Sequence, residues 1–278
     1  MTEAEAAPVV IAVAPNGARK TRADHPRLPL TPAELAECAE DCVAAGASML
    51  HLHVRDAGGR HSLDPVDYRA AIAAIRARVG DDLVLQITTE SGGRYGPPEQ
   101  MACADALAPE ALSLAIRELF ADPAHESAVA AFLRRLAARD ALVQYIVYSS
   151  ADVSRCARLH AEGVIPQRLP QVLFVLGSYV ERRAGRADDL LPMLAVLPPG
   201  WRWSVCAFGA AELQCVTAAA LLGGQVRVGF ENNMQLPSGA IAADNAELVR
   251  STRDALARLG LRNATCTETR RFFRDPRD

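Results

Sequence analysis

Residues 142–176 read LVQYIVYSSADVSRCARLHAEGVIPQRLPQVLFVL. Two short apolar runs, 142–148 and 171–176, flank a segment over 151–162 whose apolar residues recur at helical spacing. Runs that are apolar at consecutive positions suit strands covered on both faces. A strand, a helix and a second strand in that order make the two strands parallel. The same rhythm extends in both directions. Upstream, residues 8–14 (PVVIAVA), 48–54, 83–89 (LVLQITT) and 110–116 (EALSLAI) read as strands. Helical patterns follow them, from Thr31 to about Gly46 and over 65–79, 97–106 and 123–139. Thr31 with Glu34 forms a capping-box signature, and Pro32 suits the first helical turn. Downstream, 202–207 and 225–230 (QVRVGF) read as strands, with helices near 186–196 and over 210–222 and 241–259. Eight strand–helix units predict a closed (β/α)8 barrel, with residues 1–278 as one domain. An open doubly wound sheet more often stops at five or six strands. The polar, basic end, 261–278, is expected to be a disordered tail or an arm that grips a neighbouring subunit.

Composition narrows the function classes. Half of the 278 residues are hydrophobic, enough for a sizeable core, and the net charge of −3 offers no basic surplus for nucleic acid or an anionic membrane. No stretch approaches the roughly 20 apolar residues of a membrane span. The seven cysteines, odd in number and scattered, suggest reduced thiols and a cytoplasmic protein. Cys38 and Cys42 read as core thiols, because no further metal ligands lie near them in sequence.

In a barrel of this type the site gathers where strands end and the following loops begin. His51-Leu52-His53 on the second strand is the sharpest signal. Residues two apart on a strand share a face, so both imidazoles point into the barrel. Two imidazoles and a carboxylate, with one position open, form a usual catalytic zinc arrangement. Glu231, at the end of the eighth strand, is the best third ligand. The competing reading is a pair of core histidines bonded to backbone. The other histidines, His25, His61, His125 and His160, read as solvated or structural. Lys20 is the single lysine against 29 arginines and falls at a strand end. It reads as a binder of carboxylate or phosphate, or as a solvated loop residue. Glu90 and Glu118 are candidate bases, unless Arg94, Arg117 or Arg55 pairs with them. Arg19, Thr89, Ser113 and Glu118, with Lys20, are the candidate substrate-binding set.

Several segments together resemble the β-keto acid cleavage enzymes. They are Gly17-Ala18 with Thr21-Arg22-Ala23-Asp24, Pro29-Leu30-Thr31-Pro32, and His51-Leu52-His53-Val54-Arg55. Further along come Gln86-Ile87-Thr88-Thr89, Phe174-Val175-Leu176-Gly177, and Arg227-Val228-Gly229-Phe230-Glu231-Asn232-Asn233. The likeness runs from about residue 8 to 260, with the motifs in the same order. It implies a (β/α)8 barrel, usually a homotetramer, with zinc on His51, His53 and Glu231. It also implies condensation of a β-keto acid with acetyl-CoA, giving acetoacetate and a new CoA ester. Arg227 then stabilises oxyanions or orients the base, and Thr88 stands where a family serine contacts substrate.

Two departures matter. The family carboxylate after the metal-binding glutamate is Asn232 here, and an amide cannot act as a base at neutral pH. Glu90 is the preferred replacement. A family glutamate that suits an amino-bearing substrate is Arg19 here, beside Lys20. That pair disfavours an ammonium and favours an anionic or neutral chain, such as one with a distal carboxylate. Two other readings stay open. A zinc hydrolase of the amidohydrolase kind also uses His-x-His, but on the first strand. A barrel that binds metal and acyl-CoA or keto acid without turnover would fit Asn232. No Gly-rich phosphate loop marks the CoA site.

Overall fold

The computed structural model describes residues 8–178 and 183–274. Eight parallel strands close into a barrel: β1 Ile11–Val13, β2 Met49–Leu52, β3 Val84–Thr88, β4 Ala111–Ala115, β5 Leu142–Val147, β6 Gln171–Leu176, β7 Arg202–Ala207 and β8 Gln225–Val228. The larger helices are α1 Pro32–Ala45, α2 Pro65–Val79, α3 Pro97–Leu107, the single-turn α4 Ile116–Leu119, α5 Glu126–Ala138 and α6 Ser150–Ala161. They continue with α7 Leu190–Leu194, α8 Glu212–Leu221, α9 Asn245–Arg258 and α10 Cys266–Phe273. The (β/α)8 barrel expected from the sequence is therefore the observed fold. A small antiparallel ribbon, Val54–Arg55 with His61–Ser62, stands between β2 and α2.

Local chemistry explains the boundaries. Thr31 caps α1 with the reciprocal Glu34 bond, Pro32 occupies the first turn, and Gly46 ends the helix in a left-handed conformation. Strand faces alternate as the period of two requires. Leu50, Leu52, Leu85, Ile87, Leu112 and Leu114 face outward into the main core beneath the helices. Met49, Val84, Ala111 and Leu142 point the other way, into a second cluster at the start of the strands. Adjacent strands bring interior polar residues level with one another, His51 opposite Gln86 and Thr88 opposite Ser113, while Arg227 stands opposite the small Ala12.

Strands β1, β2 and β8 are shorter than the apolar runs suggested. The chain leaves the sheet at its upper end to build loops. Over 261–274 the disordered tail that was one expectation gives way to an ordered segment. Instead, α10 plugs the lower end of its own barrel. Phe273 and Ala264 pack on Val10, Ala12, Met49, Val84, Ala111 and Leu142. The Thr269 hydroxyl donates to Ser48 Oγ at 2.7 Å, and Arg270 pairs with Glu110. Residues 1–7 and 275–278 lie outside the described residues. Among the described residues no helix is long and apolar enough to cross a membrane. All seven cysteines are free thiols.

A capping box starts α10. Arg262, together with the Thr265 backbone and hydroxyl, holds Glu268 down to a pKa of about 2. A carboxyl depressed on folding stabilises the fold above its unfolded range, and that contribution disappears as pH falls through the folded value. Glu268→Gln should therefore melt a few °C below the parent at pH 7. The gap should narrow steadily from about pH 4.5 to pH 3 in thermal melts. A gap independent of pH would show that the charge contributes nothing.

Candidate metal centre and active site

His51 and His53 stand at the upper end of β2, both essentially buried. Their Nε2 atoms are 3.1 Å apart. Glu231 follows β8 and brings Oε2 to 3.1 Å from His53 Nε2 and 3.7 Å from His51 Nε2. These three are the group among the described residues whose ligand atoms could jointly hold a metal ion.

Several features show that the residues fit a cation. His51 Nδ1 donates to Gln86 Oε1 at 2.8 Å, which leaves its Nε2 lone pair directed at the cluster. Burial, helped by the Arg227 charge, pushes the His51 imidazole down to about 3, so it is neutral as a ligand must be. Burial opposes ionisation of Glu231, but the Arg227 guanidinium beside it holds its carboxyl well below the usual carboxylate range. Its buried Oε2 has no hydrogen-bond donor of good geometry. A carboxylate oxygen and the His51 lone pair that converge in a buried pocket suit a positive centre.

The Gln86 amide is itself oriented. Its nitrogen donates to Gln144 Oε1 at 3.3 Å, and Gln144 donates in turn to Ser204 Oγ at 3.2 Å. This buried row crosses the barrel from β3 to β7. It presents the Gln86 oxygen, not its nitrogen, to His51. The period of two that marks His51 and His53 also marks Gln86 and Thr88, so Gln86 was findable as an inward-facing residue.

Two glycines let Glu231 arrive. Gly229 turns the chain at φ +133°, and a Cβ there would lie 2.5 Å from Ala14 O. Gly17, at φ +62°, leaves room where a Cβ would lie 2.7 Å from Glu231 Cγ. Behind the loop, burial pushes the Glu212 carboxyl up to about 8. Glu212 accepts from Gly229 N at 3.3 Å and Asn233 Nδ2 at 3.2 Å. Nothing in the sequence pattern singled it out.

Above the triad opens a cavity of about 480 Å³. Thr88, Glu90, Ser113, Arg19, Glu118 and Arg227 line it, with His51 and Glu231. Arg227 Nη2 donates to Glu231 Oε1 at 2.9 Å, Asn232 Oδ1 at 3.2 Å and Cys206 Sγ at 3.2 Å. Its Nε and Nη1 are buried without a partner. Asn232 thus orients the guanidinium. Glu90 Oε2 lies 3.9 Å from His53 Nε2, and burial pushes its carboxyl up. Its backbone is clamped, with its N–H on Thr88 Oγ1 at 3.0 Å and its carbonyl accepting from His61 Nε2 at 2.8 Å.

Other expectations are redirected. Lys20 does not line the cavity; it donates to the Phe230 carbonyl and so braces the loop that carries Glu231. Thr89 does not line it either, since its hydroxyl donates to Ser113 O at 3.0 Å. Glu118 accepts from Ser91 N at 2.9 Å and Gln100 Nε2 at 2.8 Å, which ties the β3 loop to α3. Arg55, Arg94 and Arg117 engage groups other than Glu90 and Glu118: Gly17 O, Asp56 and Asp152 respectively. Of the two roles expected of them, solvated or structural, His61 and His25 take the structural one, since both are buried. Their burial comes from contacts between distant loops, which local pattern does not report.

Removing the acceptor from His51 should loosen the metal. Outer-shell changes of this kind typically cost about 10–100-fold in affinity. Gln86→Leu is expected to lower zinc affinity by about that factor in chelator competition. Unchanged affinity would show that Gln86 does not set the His51 tautomer.

Comparison with known proteins gives the family. The sequence model of the family described as beta-keto acid cleavage enzyme matches residues 8–274. The chain is 31% identical over 273 residues to a 3-keto-5-aminohexanoate cleavage enzyme of Fusobacterium nucleatum, covering 95% of this chain and 97% of the relative. It is 25% identical to a 3-oxoadipate:acetyl-CoA acetyltransferase of Cupriavidus necator, over 95% of this chain and 93% of that one. Among solved structures, a binary complex of ObcA with oxaloacetate superposes with a TM-score of 0.71 at 18% identity, over 90% of this chain and 68% of that one. That likeness concerns the fold. With the family model spanning nearly the whole chain, the protein belongs to the beta-keto acid cleavage enzyme family.

Proposed function

We propose that this protein is a zinc-dependent enzyme that transfers acyl groups between a β-keto acid and acetyl-CoA. Acetoacetate and a new acyl-CoA are the products. The observation that carries this reading is the convergence of His51, His53 and Glu231 on one cavity wall, beside the unpartnered donors of Arg227. The relatives' printed names, which pair keto acids with acetyl-CoA, support the same chemistry.

In the overall exchange the bond between C2 and C3 of the keto acid breaks. Its C1–C2 unit joins the acetyl carbon of the thioester, and the CoA sulfur passes to C3. Bound zinc supplies Lewis-acid polarisation of substrate oxygens. The chain's own residues do the rest. Glu90 takes a proton from C2, the carbon between the two carbonyl groups. Its raised pKa, caused by burial, suits a group that must pick up a proton. Arg227 turns Nε and Nη1 toward oxygen atoms that gain negative charge. Such preorganised donors act strongly in a site without bulk water. Asn232 keeps that guanidinium in place and takes no proton. The Thr88 oxygen already accepts from Glu90 N, so its hydroxyl proton is left for substrate. By family resemblance the protein works as a homotetramer, and its seven free thiols suit the reducing cytoplasm.

The test is acetoacetate formation from acetyl-CoA and a panel of β-keto acids, with protein of known metal content. Metal-stripped protein should be inactive, and zinc should restore it. Zinc-bound protein that makes no acetoacetate from any acid would leave a binding role. Glu90→Gln should lower kcat by about 10²–10⁴-fold, the usual worth of a positioned base. Asn232→Asp should change kcat by less than about tenfold, under ~1.4 kcal/mol. A large gain on Asn232→Asp with a small loss on Glu90→Gln would move the base elsewhere.

A further inference from the structure

The cavity has two unlike walls. The triad and Arg227 stand where β2 and β8 end. Facing them, Ala115, Ile146, Tyr148, Val175 and Phe208 line the same space. In the strand order of the closed barrel β2 lies opposite β6, the strand that carries Val175. Ile146, Tyr148 and Phe208 pack with Leu173, Val175 and Cys206 in a cluster of their own, separate from the core beneath the helices.

Charges bordering this wall already have partners within the chain. The Arg117 guanidinium stacks 3.2 Å from the centre of the Tyr148 ring and lies 4.0 Å from Asp152. Asp152 also accepts from Tyr148 N at 2.9 Å. Arg183 pairs with Asp189 at 2.8 Å. Glu118 takes hydrogen bonds from Ser91 and Gln100. Arg19 borders the cavity near Glu90, on the side of the triad. An ammonium or a second carboxylate set against Ile146 and Val175 would lose water without gaining a counter-charge.

We infer that the β-keto acid this enzyme takes carries an uncharged, apolar chain beyond its keto carbon, seated against Ile146, Val175 and Phe208. The inference rests on the acyl-exchange reading above. It replaces the distal carboxylate that Arg19 and Lys20 suggested, because Lys20 is not at the cavity and Arg19, which follows β1, borders it across the barrel from β5 and Ile146.

Matched 3-keto acids with aliphatic, dicarboxylic and 5-amino chains, tested with acetyl-CoA and the zinc-loaded enzyme, decide the point. The aliphatic acid should exceed both charged acids at least tenfold in kcat/KM. Across aliphatic acids of five to eight carbons, kcat/KM should rise about fourfold per methylene, as burial of a CH₂ implies. Ile146→Ala should flatten that gradient and leave the KM for acetyl-CoA within twofold. Val175→Ala repeats the test if Ile146→Ala folds poorly. A charged acid preferred over the aliphatic one overturns the inference. So does a gradient unchanged in both variants, or an effect confined to acetyl-CoA, which would give the wall to the thioester. No acetoacetate from any acid would instead sink the acyl-exchange reading. Calorimetric binding of the same three acids would then still rank the wall's preference.

Discussion

The seam where β1 meets β8 is the contact on which the site depends. Closing a barrel requires its first and last strands to pair, and here the pairing continues past the sheet into the loop that bears Glu231. Ala14 N donates to Val228 O at 2.8 Å, and Glu231 N donates to Ala14 O at 3.0 Å. Asn245 joins both sides, accepting from Phe230 N at 2.9 Å and donating to Pro15 O at 3.1 Å. Lys20 adds a bond to Phe230 O. The close approach tolerates no side chain at Gly229. A carboxylate from the end of the chain is thus held against two imidazoles from near its beginning.

The barrel interior is polar above, where β2 and β8 end, apolar on the facing wall, and apolar below. The lower cluster is sealed by α10, and the amides of Gln86 and Gln144 separate it from the triad. Burying Arg227 beside Glu231 is tolerable because the pair lies 2.9 Å apart and further acceptors share the guanidinium. A buried pair of this kind is weak evidence for stability. Its use lies in fixing where a guanidinium and a carboxylate stand before substrate arrives. The neutral state of His51 follows from the same burial.

Much of this was legible in the sequence because it is periodic or local. The strand–helix rhythm located all eight units, and the spacing of His51 and His53 put both rings inside the barrel. The capping box at Thr31 marked the start of α1 to the residue. What stayed hidden depends on distant contacts. Lys20 read as a ligand-binding cation or a solvated loop residue, because it is the single lysine and falls at a strand end. Only the folded seam shows its ammonium on Phe230 O. The end of the chain looked like a tail or an arm because residues 261–278 are mostly polar, yet Ala264 and Phe273, with the Thr269 and Arg270 bonds, dock α10 on its own barrel. His61 carried no signal, since its place beside His53 is set by the ribbon after β2.

The central claim is that the triad, Arg227 and Glu90 exchange acyl groups between a keto acid and acetyl-CoA. Tracing carbon through one turnover tests it most directly. With acetyl-CoA labelled at both acetyl carbons with ¹³C, the account places label at C3 and C4 of acetoacetate. The new CoA ester should then carry none. Label recovered as free acetate, with the keto acid unchanged, would show thioester hydrolysis and contradict the account.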